Sequence, residues 1–202
     1  MPHSTHKTNP DTTNTRSLRQ YQGIMPSLGS DVYIDPSAIV IGDVSLGDDC
    51  SIWPLTVIRG DVNQITIGDR SNVQDGCVIH VSRPTNTHPD GLATRIGEDV
   101  TVAHKAMLHG CTIGNRVMIG MGAVVLDGTI IEDEVIVGAG ALVTGKRLVS
   151  GYLYTGSPAR QARPLKESER KHFAVNAANY VELKNSYLAQ NNSMHTGVNK
   201  RF

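Results

Sequence analysis

Aromatic side chains are scarce: one Trp, six Tyr and two Phe make up 4% of the 202 residues. A wide globular core is built largely on such side chains, so their scarcity points to a narrow interior filled by smaller ones. Cysteine is equally sparse. Cys50, Cys77 and Cys111 are an odd, well-separated set with no Cys-x-x-Cys pair, which argues against a disulfide framework and a cysteine metal knuckle. Neither sign of charge is in excess, with 19 basic and 19 acidic residues, so the balance offers nothing to a polyanion such as nucleic acid. Gly or Asp breaks every apolar run within a few residues, leaving no membrane span, and the N-terminus lacks the apolar core of a secretory signal. The expected compartment is the cytoplasm.

What is abundant is a period of six. Aliphatic residues fall at Leu28, Ile34, Val40, Leu46, Ile52 and Ile58, then at Ile67, Val73 and Ile79, then at Ile96, Val102 and Leu108. The run closes with Ile113, Ile119, Val125, Ile131, Val137 and Val143, and all eighteen positions are Leu, Ile or Val. Glycine often follows, as at Gly47, Gly68, Gly97 and Gly114, which is expected of turns that need permissive φ/ψ. Four residues after most of these aliphatics comes a small or β-branched side chain, among them Ala38, Cys50, Cys77, Ala106 and Ala123. Both positions are expected to point inward, with Cys50 and Cys77 as small core fillers.

Six residues match no helix face, and the regularity is too strict for a sandwich of hairpins. Each hexad reads as a short strand plus a turn, and three make a triangular coil. The expected fold is mainly β: a parallel β-helix of about six triangular coils, roughly 29 Å tall at the usual strand spacing, with a C-terminal α-helix. Residues 1–19, polar and rich in Thr and Asn, read as a disordered tail. Residues 20–150 form the β-helix, with an inserted loop at about 82–95. Residues 151–190 form a connector and a helix carrying an apolar stripe of Phe173, Ala177, Tyr180, Val181, Tyr187 and Leu188. Gly156-Ser157-Pro158 breaks the repeat before that helix, and 191–202 read as a flexible tail.

The register breaks three times: three extra residues between Ile58 and Ile67, eleven between Ile79 and Ile96, and one too few between Leu108 and Ile113. Treating each break as an indel within a turn puts Ile58, Ile79 and Leu108 on one face of successive coils. Their neighbours Arg59, His80 and His109 then stack in a column, and two imidazoles one coil apart can converge on a metal. His104 lies on the neighbouring face near a vertex. That arrangement points to a metal shared between subunits, His80 and His109 from one chain and His104 from the next, three sites in a homotrimer.

Arg59-Gly60-Asp61, Asn72-Val73-Gln74-Asp75-Gly76, His80, and Val102-Ala103-His104 through Leu108-His109-Gly110 resemble the γ-class carbonic anhydrase family of hexapeptide-repeat proteins. The resemblance runs from about Leu18 to Gln190 and implies the left hand of the β-helix. It implies His80, His104 and His109 as metal ligands, with Arg59, Asp61 and Asp75 in an ion-pair network at the subunit boundary. Gln74, with Asn72 as a second candidate, would face the water on the metal, and Tyr180 would lie nearby. The implied activity is reversible hydration of CO2 to bicarbonate. Imidazole ligands suit Zn2+, with Fe2+ or Co2+ also compatible.

Two positions depart from that family. Val62 and Arg83 stand where its best-known members carry the glutamates that export a proton, and His88 and Asp90 in the inserted loop are candidate substitutes. Two other readings remain open: an acyltransferase or thioesterase acting on acyl-CoA with one His as base, and a non-catalytic trimeric scaffold retaining the metal as a staple.

Overall fold

The computed structural model describes residues 17–196. The terminal segments outside that range, where the sequence places tails, lie outside the described residues. The chain winds into a left-handed parallel β-helix of three faces with seven rungs each. On the first face Leu18, Val40, Ile58, Ile79, Leu108, Val125 and Val143 are register partners in turn. The second carries Leu28, Leu46, Ile67, Ile96, Ile113, Ile131 and Leu148. The third carries Ile34, Ile52, Val73, Val102, Ile119, Val137 and Tyr154. These are the eighteen hexad positions plus Leu18, Leu148 and Tyr154, whose irregular spacing hides them from a period of six. The β-helix therefore begins before residue 20, and its last rung lies past residue 150.

Most of these side chains are buried, and each contributes about 1.5–3 kcal/mol on leaving water. Cys50, Cys77 and Cys111 are buried thiols between the rungs. The glycines following the aliphatic positions mostly serve a purpose other than φ freedom. A Cβ on Gly68 would sit 2.7 Å from the Gly97 carbonyl carbon, and one on Gly97 would sit 2.7 Å from that of Gly114. Backbones of successive rungs touch there, and only glycine fits. At one corner the left-handed conformation falls instead to Asp31, Asp49, Arg70, Asp99, Arg116 and Glu134, at φ between 51° and 58°.

Gly156-Ser157-Pro158 is the tip of an antiparallel hairpin, Tyr152–Gly156 with Ala159–Pro164, and not the helix entry expected. The helix α1 (Glu167–Thr196) then runs back across the third face. Phe173 and Ala177 are buried. Tyr180 and Tyr187 meet the edge of Trp53 at 5.7 and 5.2 Å between ring centres. The buried stripe also includes Lys184, which a search for apolar periodicity passes over. No helix among the described residues is long and apolar enough to cross a membrane.

Candidate metal centre

His80 ends the strand Val78–His80 and His109 ends Met107–His109, and the two are direct register partners. Arg59 occupies the rung before them, because Ile58 pairs with Ile79. Each histidine stands where its strand gives way to an irregular corner, so the rings project from the prism. The ring centres are 5.0 Å apart, and His80 Nδ1 faces His109 Nε2 at 3.0 Å.

The other nitrogen of each ring is held by a carboxylate. His80 Nε2 donates to Asp61 Oδ1 at 2.8 Å, and His109 Nδ1 donates to Asp127 Oδ1 at 2.8 Å. With the outer nitrogens on carboxylates, the inner nitrogens of the two rings face each other. A proton on one ring, making an N–H···N bond, or a bound cation satisfies two ring nitrogens at this distance. Nitrogens bound to one metal at about 2.0–2.1 Å, with an angle of about 90–110° between them, lie about 2.9–3.4 Å apart. The pair fits a divalent ion in spacing and donor type.

Within the chain, Arg59 pairs with Asp61. Partial burial raises the Asp61 carboxyl, but the hydrogen bonds from His80 and Arg59 outweigh it and hold the group below its ordinary range. Asp75 contacts neither Arg59 nor Asp61; its Oδ2 lies 2.9 Å from His104 Nδ1. His104 sits on the turn between Thr101–Val102 and Met107–His109, followed by Lys105 at φ 60°. Its Nδ1 being occupied by Asp75, its free nitrogen is Nε2. Among the described residues no three His, Cys, Asp or Glu side chains form a metal-binding cluster, so one chain does not bring His104 to His80 and His109.

Gln74 is buried, its Oε1 accepting from the His104 backbone N–H at 3.3 Å and its Nε2 donating to Asn72 Oδ1 at 3.1 Å. Asn72 is 0% exposed, so it supports Gln74 and does not face a ligand. Tyr180 is half-buried; burial, then the Asp75 charge, raise its phenol above the ordinary value. Val62 and Arg83, with Tyr21, Asp43, Asp61 and Asn63, line a cleft of about 560 Å³ on the Asp61 side of His80. His88 and Asp90 lie on the exposed part of the inserted loop. That loop is fastened by the Ser82–Leu92 bridge and by Asn63 Nδ2 donating to the Asp90 carbonyl at 2.8 Å. Asp127 is the site residue that the sequence analysis missed. Its only signal is an acid two residues after Val125, the rung following Leu108.

Fold and paired histidines together define a hexapeptide-repeat β-helix bearing an imidazole site at its surface. The "Bacterial transferase hexapeptide (six repeats)" family model matches residues 25–60, 93–127 and 110–145. The chain is 58% identical to Escherichia coli protein YrdA over 87% of its own length and 96% of that protein's. It is 39% identical to gamma carbonic anhydrase 2, mitochondrial, of Arabidopsis thaliana, over 92% of this chain and 67% of that one. A solved hexapeptide transferase family protein of Anaplasma phagocytophilum superposes with a TM-score of 0.79 at 39% identity, covering 86% of this chain and 99% of that one. The chain belongs to the γ-carbonic anhydrase-like family of hexapeptide-repeat proteins.

Proposed function

We propose that this protein is a zinc-type metalloenzyme of the carbonic anhydrase kind, acting as a homotrimer on CO2 and bicarbonate. The observation that carries the reading is the 3.0 Å approach of His80 Nδ1 to His109 Nε2, with each outer nitrogen held by a carboxylate. Such carboxylate–histidine pairs orient metal ligands and raise their basicity. His104 of a neighbouring copy supplies the third imidazole through its free Nε2. Zn2+, Fe2+ or Co2+ suits this donor set.

A surface for that neighbour runs beside the histidines. Ile39, Val57, Val78, Met107, Val124 and Leu142 form an outward-facing aliphatic ladder on the first face. Val78 and Met107 are exposed in the single chain, and Leu55 and Met121 add exposed apolar surface at the adjoining corner. A second copy covering this ladder removes it from water.

Held by His80, His109 and a neighbour's His104, an ion of this kind would supply, at neutral pH, a nucleophile from a water acidified toward about 7. Around it, Asp61 and Asp127 fix the tautomers of His80 and His109, and Arg59 keeps Asp61 ionised. Asp75 and Gln74 hold the ring and backbone of His104. The Gln74 amide hydrogen not used on Asn72 is assigned to the product anion, and Tyr180 closes the helix side of Asp75.

The test is metal analysis of the purified protein together with CO2 hydration after loading with Zn2+, Co2+ or, without oxygen, Fe2+. A trimer that stays metal-free and inactive after loading overturns the reading, and acyl-CoA turnover by the metal-free protein replaces it with acyl transfer.

A further inference from the structure

Four buried or half-buried polar side chains connect α1 to the turn that carries His104. Asn176 Nδ2 on α1 donates to Thr101 Oγ1 at 2.7 Å. Asn72 Nδ2 donates to the same oxygen at 3.0 Å. Gln74 Nε2 donates to Asn72 Oδ1 at 3.1 Å, and the His104 N–H donates to Gln74 Oε1 at 3.3 Å. Asn72, Gln74 and Thr101 are at most 4% exposed.

The orientation of each group is forced from one end. A backbone N–H can only donate, so Gln74 must turn its oxygen toward His104 and its nitrogen toward Asn72. Asn72 must then accept through Oδ1 and donate through Nδ2. The chain of donors ends on Thr101 Oγ1, which also receives Asn176 from the other side. Both oxygen lone pairs are thereby used, and Thr101 is the hub on which helix and turn converge. Removing a buried acceptor leaves its donors unsatisfied and costs more than the bond contributes, so such a network keeps one arrangement.

We infer that Thr101, held from α1 by Asn176, is a positioning residue: through Asn72 and Gln74 it sets the backbone of His104, and so couples the seating of α1 to the imidazole offered to the neighbouring subunit. The link from Thr101 to the His104 amide stands independently of any metal. The consequence for the neighbour's site rests on the reading proposed above.

The experiment compares Thr101→Val, Thr101→Ser and Asn176→Ala in the full-length chain. Amide exchange at His104 reports the relay, Trp53 fluorescence reports whether α1 remains seated, and Co2+ titration followed by its visible spectrum reports the ligand geometry. Thr101→Val is expected to speed His104 exchange by about two- to tenfold, the range for one lost buried hydrogen bond, with Trp53 emission unchanged. Co2+ affinity falls with it, Thr101→Ser restores both, and Asn176→Ala shifts the same amide in the same direction. Wild-type exchange at His104 in Thr101→Val, or equal acceleration at every rung, overturns the relay. If the wild-type protein binds no Co2+, the metal reading and the coupling to the neighbour's site fail together, while the exchange data still decide the relay.

Discussion

Lys184, 0% exposed on the inward side of α1, places its Nζ 2.7 Å from Asp49 Oδ1 at a corner of the β-helix. Asn185 Oδ1 accepts a second hydrogen bond from the same ammonium at 2.6 Å. Asp49 thus anchors the helix to the prism through a buried cation.

Removing the acid strands that cation. Asp49→Ala is expected to destabilise the protein by about 3 kcal/mol, near the lower end for an orphaned buried charge because Asp49 is itself partly exposed. Lys184→Met replaces the pair with apolar volume and should cost less than half as much. Urea unfolding followed at Trp53, the chain's one tryptophan, separates the two. Equal losses would mean that the pair does not anchor α1.

At the other end of the molecule, Asp127 holds His109 and also accepts from Ser82 Oγ at 3.1 Å. Asp127→Ala is expected to weaken Zn2+ binding roughly 10- to 100-fold, as loss of an orienting carboxylate does. His109→Ala should abolish binding. Chelator competition measures both, and unchanged affinity in Asp127→Ala would remove that residue from the site.

The aliphatic ladder gives the assembly its own test. Val78→Glu or Met107→Glu puts a carboxylate on the face proposed for a neighbouring copy, and should convert the proposed trimer of about 65 kDa, three times 21.8 kDa, to monomer. Sedimentation velocity reads the change. Metal affinity should fall together with assembly, since His104 of the neighbour is then lost.

The thiols predict a pH dependence. Burial pushes Cys50 up to about 12, Cys77 to about 11 and Cys111 to about 12. Unfolded thiols titrate near 8.5. The native groups therefore keep their protons where the unfolded chain loses them, so stability is whole below about pH 8.5 and declines as pH rises toward 11–12. Denaturant midpoints between pH 8 and 10.5 should show that decline, and replacing all three cysteines with alanine should flatten it. At pH 8 the folded protein should leave a thiol reagent unreacted, while denaturant releases three equivalents.

The column formed by Arg59, His80 and His109 was legible in the sequence because a hexad register is a one-dimensional property. Once the aliphatic positions are aligned and the indels counted, residues three hexads apart must stack. The rungs at Leu18, Leu148 and Tyr154 escaped because irregular corners alter the spacing while strand pairing keeps the register. The glycines were visible but their reason was not: close approach of Gly68 to Gly97 exists only after the coils stack.

The sequence by itself determined the repeating core, the face shared by His80 and His109, and the presence of a helix after the repeat. Only the tertiary structure decided where each polar side chain points. It gave Asp75 to His104, gave Asp127 to His109, buried Asn72 in the relay and set Lys184 against Asp49. Inward residues are specified by burial, which a sequence pattern records directly. Outward polar residues are specified by partners that arrive from other rungs or from α1, and their match depends on corner geometry and side-chain direction.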